Sequence, residues 1–299
     1  MKIAVHLRHA DNQTNMRSLA LAKGLNALGQ HSVVEAKRDE RVPNSDLVIQ
    51  TGFARSVALT DAIERRIPYL IMETPVFRGQ TSIMDHSSFT YNGLAGGGTR
   101  ATPLEATRPS PTVRQPKNVD NEYVWGDEEY PQGRPGKTLI IGQKPTDHSL
   151  RGHDHVKWIL QKFDEYPDAD FRHHPLMVDE NSQEPLKAVL PKYDTVITFN
   201  STAGIDALIQ GCNVVAEHEG SEVYDMEGAS YYTRMERIHE LSYAQFSHSE
   251  LNEPSVAEYI LSGYDVARYL AADGHVEHPR EKVDGSLVCK RYYTALGGP

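Results

Sequence analysis

The most informative run of side chains in this sequence is Asn200-Ser201-Thr202-Ala203-Gly204-Ile205-Asp206, set between the apolar runs Thr195–Thr198 and Asn213–Ala216. Two hydroxyls and a glycine at the start of a helix suit an anion. Unpaired N–H groups point outward there, the helix dipole is positive, and a glycine lets a phosphate approach the backbone. The same residues suit plain capping, with Ser201 or Thr202 at the N-cap and Asp206 complementing the dipole. A second cluster, Gly142 to His155, follows the apolar run Thr138–Ile141 and holds Gln143, Lys144, Arg151 and three histidines. Its basic groups could address a diphosphate. Its Asp147, His148, His153 and His155 have types a metal accepts, although histidines in loops are more often solvated. Arg172-His173-His174-Pro175 closes another short run and points at the same rim, unless it is only a polar strand end stopped by proline.

Proton-transfer candidates crowd the first half. They are His6, Arg8 and Asp11 after the first apolar run, Glu73 after Pro68–Met72, and Asp85-His86 slightly later. A displacement on a hydroxyl needs a carboxylate or imidazole within hydrogen-bond reach of it. Spacing does not choose among these groups; Asp85 and Glu73 are the expected bases because both follow the fourth strand. No G-x-G-x-x-G follows the first strand and no G-x-x-x-x-G-K-[ST] is present, which weakens dehydrogenase and P-loop readings. The triplet Gly96-Gly97-Gly98 lies in the wrong context for either and reads as a loop.

The elements that must position these groups alternate in type. Strands are expected at Ile3–Leu7, His31–Val34, Asp46–Gln50 and Pro68–Met72, with helices through Leu19–Leu28 and Val57–Ile63 between them. Short apolar strands separated by helices mean a parallel sheet covered on both faces. From Gly96 to Gly136 the periodicity fails, and a glycine- and proline-rich stretch reads as a functional loop or linker. The alternation then resumes with strands at Thr138–Ile141, Asp170–His173, Thr195–Thr198 and Asn213–Ala216, and helices around Val156–Leu160 and Ile205–Gln210. The expected division is residues 1–120 as one α/β domain and 136–299 as a second.

Composition narrows the function classes. Lys+Arg number 31 and Asp+Glu 41, a formal net charge of −10, so a broad nucleic-acid-binding coat is excluded. The two cysteines, Cys212 and Cys289, cannot build a disulfide framework or a four-ligand zinc site. No apolar stretch approaches the ~20 residues that span a bilayer. The start MKIAVHLRHA lacks a signal-peptide core and reads as a buried strand, so a cytoplasmic protein is expected.

The second half resembles the donor-binding domain of two-domain glycosyltransferases of the GT-B type, in particular the branch of capsule-polysaccharide and Kdo-type transferases. The residues that carry the likeness are Arg172-His173-His174-Pro175 and the block Asn200 to Leu208 with Gly211 and Val214, where Asp206 stands in place of the usual Glu. The resemblance implies an α/β fold of two Rossmann-like, doubly wound domains facing a central cleft. It implies a nucleotide-sugar co-substrate, UDP-linked by expectation, and no metal. It assigns Ser201, Thr202 and the N–H groups before Gly204 to the diphosphate, and Asp206 to the ribose hydroxyls. His174 falls near the base or phosphates, and Gln143, Lys144, Arg151 and Arg172 stand around the leaving group.

Tyr91-Asn92-Gly93-Leu94, Gly142–Trp158 and Leu241–Phe246 are similar to stretches of phage-encoded proteins. They imply transfer to a hydroxymethylated base in DNA inside a host cell. DNA contact would then fall to Arg100, Arg108, Arg114 and Lys117, against one acid, Glu105, with Phe77, Phe89, Tyr91 or Trp125 to stack an extruded base. A capsule-type glycan acceptor, a sugar-nucleotide 2-epimerase and a non-catalytic nucleotide binder are the alternatives.

Overall fold

Ile3-Ala4-Val5, Leu47-Val48-Ile49 and Tyr69-Leu70-Ile71-Met72 are buried at successive positions, so these strands are covered on both faces. A computed structural model describes residues 1–7, 12–37, 39–77, 86–94, 98, 136–179, 182–242, 245–279 and 285–296. In chain order β1 (Lys2–Leu7), α1 (Asn12–Ala27), β2 (Ser32–Lys37), β3 (Leu47–Thr51), α2 (Val57–Glu64), β4 (Tyr69–Glu73) and β5 (His86–Tyr91) come first. Next come β6 (Thr138–Ile141), α3 (His155–Glu165), β7 (Asp170–Arg172), α4 (Leu186–Val189), β8 (Thr195–Thr198), α5 (Ala203–Ile209), β9 (Asn213–Ala216) and α6 (Tyr231–Ser242). Then follow β10 (Gln245–Ser247), α7 (His248–Leu251), α8 (Pro254–Leu261), α9 (Tyr264–Ala272) and α10 (Gly285–Leu296).

Two compact units result: residues 1–115 with 239–279, and 116–238 with 280–299. The first carries a six-stranded sheet ordered β10-β5-β4-β3-β1-β2. Its β1 to β4 are parallel, whereas β5 runs antiparallel to β4 and β10 antiparallel to β5. One face buries Ile3, Val5, Leu21, Leu25 and Phe89; the other buries Ala4, Val48, Phe53, Leu59 and Ile71.

The expected second domain of 136–299 is corrected here. Residues 239–279 belong to the first unit because Phe246, Leu251, Val256 and Ile260 complete the core face that α1 begins. Tyr91 and Asn92 fasten that returning segment. The Tyr91 hydroxyl donates to the Ile260 carbonyl (2.9 Å), and Asn92 Nδ2 donates to the Ala267 carbonyl (2.7 Å). Asn92 Oδ1 accepts from the Tyr69 N–H (3.1 Å), and its backbone is left-handed at φ 56°, a conformation asparagine tolerates. Both Tyr91-Asn92 and Phe246 thus have structural work in this fold. Phe77, Phe89 and Tyr91 are core side chains, each at most 2% exposed, which removes them as platforms for an extruded base.

The second unit carries a fully parallel sheet ordered β7-β6-β8-β9. Ile140, Trp158, Ile159, Ile197, Phe199 and Tyr292 form its core. Tyr292 comes from α10, which is also tied to this unit by an Arg291–Asp154 ion pair (2.9 Å) and by a hydrogen bond between the Tyr292 hydroxyl and His173 Nδ1 (3.0 Å). In each sheet the second parallel strand lies outside the first and the third lies on its other side. The switch points therefore fall between β1 and β3, and between β6 and β8, the places where open α/β sheets bind ligands beyond their carboxyl ends. Among the described residues no helix is long and apolar enough to cross a membrane.

Candidate functional site

At the switch point of the second sheet, the residues leaving β6 and β8 are knitted together. The Asn200 N–H donates to Gln143 Oε1 (3.1 Å), and Gln143 Nε2 donates to Asn200 Oδ1 (2.8 Å) and Ser149 Oγ (3.2 Å). Asn200 Nδ2 donates in turn to the Ser149 carbonyl (2.5 Å). The Gln143 N–H donates to His155 Nε2 (2.7 Å), and the His155 ring stacks on Trp158 at 5.1 Å. Burial pushes His155 down to about 4, with Asp147 and Asp154 opposing the shift and His174 adding to it. Gln143 and Asn200 are both buried, so Gln143 positions the two loops and its amide is engaged in holding them.

Around this clamp stand the other expected donor residues. Ser201 Oγ accepts from the Ala203 N–H (3.2 Å) and the Ser201 N–H donates to Thr198 Oγ1 (3.1 Å), so Ser201 supplies the local cap. Thr202, at the N-cap position of α5, makes no capping hydrogen bond and is half-buried. Gly204 faces inward. A Cβ there would lie 2.8 Å from Val223 Cγ2 and 3.3 Å from Thr198 Cγ2, so the glycine is required by packing of α5 rather than by an approaching anion. Asp206 is half-buried on α5. Lys144 is half-buried, with no side-chain hydrogen bond or ion pair among the described residues.

Arg151 ends the short turn His148–Leu150 in a left-handed conformation (φ 49°), and its Nη1 donates to the Ser149 carbonyl (3.1 Å). Arg172 lies on the edge strand β7 and donates from Nη2 to the Glu184 carbonyl (2.7 Å), which ties down the loop before α4. His174 caps the turn Pro175–Met177, accepting from the Leu176 N–H at Nδ1 (3.1 Å).

Sequence reasoning missed His218 and the Lys162 ion pairs. His218 lies two residues beyond Ala216, the end of β9, and the strand-end rule that found Arg172 and His174 applies to it equally. Its ring sits 5.1 Å from those of Phe199 and His153. Burial lowers its proton affinity, and Arg151 and His153 lower it further. Lys162, 7% exposed, pairs with Glu165 (2.6 Å) and with Glu217 at the exit of β9 (2.8 Å). A metal at Asp147, His148, His153 and His155 is not what the geometry builds. His155 Nε2 and Asp147 Oδ1 are occupied by the N–H groups of Gln143 and Ser149, and among the described residues no group of three such side chains could hold a metal ion.

In the first unit Glu73 ends β4, and its Oε1 accepts from the Phe53 N–H (3.0 Å). His6 is buried at the end of β1, hydrogen-bonded through Nδ1 to the Lys37 carbonyl (3.0 Å). Asp85, Arg8, Asp11 and the basic stretch Arg100 to Lys117 lie outside the described residues.

Residues 129–259 match the family model described as capsule polysaccharide biosynthesis protein. Over this segment the chain resembles the capsule-polysaccharide family. That match takes in the clamp, the Arg172–Pro175 turn and the block Asn200–Leu208. Among solved structures, the KpsC β-Kdo 2,7 transferase of Thermosulfurimonas dismutans is similar at TM-score 0.50 and 13% identity, over 86% of this chain and 99% of that one. The β-Kdo 2,4 transferase of the same KpsC gives TM-score 0.41 and 18% identity, over 71% and 79%. The UDP-GlcNAc 2-epimerase of Methanocaldococcus jannaschii gives 0.29 and 12%, over 91% and 100%. Comparison with curated proteins gives no significant match. The fold is of the GT-B-like α/β kind, with two sheets dominated by parallel strands. The capsule-type match favours the glycan alternative, and nothing in these likenesses points to DNA.

Proposed function

We propose that this chain is a glycosyltransferase of the capsule-polysaccharide type. It moves a sugar from a nucleotide-activated donor to a hydroxyl of a glycan. The observation that carries the reading is the family match over residues 129–259, which brackets the hydroxyl-rich and basic residues at the carboxyl edge of the second sheet. Ser201, Thr202, Lys144, Arg151 and His174 receive the donor, while Gln143 and Asn200 hold the loops that present them. The base is Glu73 or Asp85.

The test is calorimetry with a panel of nucleotide sugars that includes activated Kdo, preceded by a thermal-shift screen, because a ligand specific to the folded state raises the melting temperature. Replacing both Ser201 and Thr202 by Ala should weaken the donor about tenfold or more, as expected for losing two hydrogen bonds to a charged group. Unchanged affinity in that double variant sinks the donor site. Glu73→Gln and Asp85→Asn should keep donor affinity, and the one that removes the base should abolish transfer. Full transfer in both eliminates the pair.

A further inference from the structure

We propose that Arg151, His153 and His218 form a cradle for a phosphoryl group of the donor nucleotide, with His218 donating from a fixed Nε2–H and His153 offering a second ring N–H beside it. This rests on the donor-site reading above and names the groups that receive the charge.

The three residues reach one place from three segments: the left-handed end of the His148–Leu150 turn, the turn before α3, and the exit of β9. The His153 ring lies 5.1 Å from His218 and 5.1 Å from Phe199, so both imidazoles share one aromatic wall. The guanidinium of Arg151 lies against Gly220, where an added Cβ would overlap it. Gly220 thus gives the arginine its seat two residues from His218.

The Gly220 N–H also donates to His218 Nδ1 (2.9 Å). An N–H can only donate, so Nδ1 carries the lone pair and the ring proton of neutral His218 sits on Nε2. Protonating His218 would place a second hydrogen against the Gly220 N–H. The nearby cation Arg151 opposes that charge as well, with Glu219 alone favouring it. His218 therefore serves an anion as a fixed neutral donor. His153 is exposed and its ring makes no hydrogen bond among the described residues, which leaves a ring N–H for the same anion. Its neighbour Asp154 is engaged by Arg291 (2.9 Å) and by the N–H of Lys157 (3.2 Å). One guanidinium and two imidazole N–H donors around one spot suit the oxygens of a phosphoryl group, which take short charge-assisted hydrogen bonds.

The experiment measures inorganic pyrophosphate and uridine diphosphate by calorimetry at pH 7.5 on the full chain, His153→Ala and His218→Asn. Asparagine keeps an acceptor for the Gly220 N–H but cannot supply an Nε2–H donor. His153→Ala should bind pyrophosphate about tenfold more weakly than wild type, in line with the loss of a hydrogen bond to a charged group. His218→Asn should lose about tenfold, in line with a hydrogen bond to a charged group. Arg151→Met should weaken both ligands, and melting temperatures check that each variant folds. If either histidine variant binds like wild type, the cradle is overturned. Nucleotide sugars that bind through Ser201 and Thr202 without these effects would leave the donor reading standing and remove only the cradle. Pyrophosphate binding that shows these effects, while no nucleotide sugar binds, would keep the cradle and remove the donor reading.

Discussion

Lowering the pH should destabilise the second unit through His155. Burial holds its imidazole down to about 4, and Nε2 accepts the Gln143 N–H, so protonation would charge a buried ring and break that bond. The unfolded chain takes up this proton near the ordinary histidine value of about 6.5. Between the two values the unfolded state binds more protons, so stability is complete above about 6.5 and falls as the pH drops toward about 4. A gap of about 2.5 units at about 1.36 kcal/mol each gives a total loss of about 3 kcal/mol, of which about 2 kcal/mol is gone by pH 5. His6, His31, His173 and His218 are also lowered by burial and act in the same direction.

The measurement is therefore a difference. Glutamine at 155 can still accept the Gln143 N–H through its side-chain oxygen but does not titrate. Urea unfolding would be followed by Trp158 fluorescence with Trp125 replaced by Phe, at pH values from 8 to 5, in the presence and absence of His155→Gln. The glutamine variant should begin about 1 kcal/mol less stable and lose about 2 kcal/mol less over this range. Parallel pH curves for the two proteins would refute the assignment of the buried proton-binding defect to His155.

Gly204→Ala should lower stability by about 1–3 kcal/mol through overpacking against Val223, with Val223→Ala restoring part of the loss in the double variant's melting temperature. Asn92→Ala should cost about 2–4 kcal/mol in urea unfolding, since it removes two buried amide hydrogen bonds and places alanine at a positive φ. Lys162→Met should cost about 1–2 kcal/mol, read in the same assay, because Glu165 and Glu217 lose their common cation while remaining partly solvated.

The strands that carry the donor-side residues were legible because their apolar runs are continuous. Thr138–Ile141, Thr195–Thr198 and Asn213–Ala216 stand where periodicity places them. β5 and β10 were not legible. His86-Ser87-Ser88 and Gln245-Phe246-Ser247 are short and polar, and they become strands only by pairing across the chain. The return of residues 239–279 to the first unit is likewise a property of the core face that Phe246 and Ile260 fill, not of local pattern. At the candidate site, the rule that ligands gather beyond parallel strand ends led to Gln143, Ser201 and His174. The partnership of Gln143 with Asn200 joins residues 57 apart, and no local pattern announces it. Gly204 showed the limit of residue type, since one glycine serves tight packing as readily as anion approach.

The antiparallel edge that β10 supplies has a consequence during synthesis. β5 offers its outer backbone to Gln245–Ser247, and Ser88 is partnered by Gln245, 157 positions later. At roughly 5–20 residues per second on the ribosome, the nascent chain carries that bare edge for roughly 8–30 s. A strand edge exposed for so long can template pairing with a neighbouring chain. The polar face of His86-Ser87-Ser88, which hid the strand from sequence reading, is also what suits it to that wait.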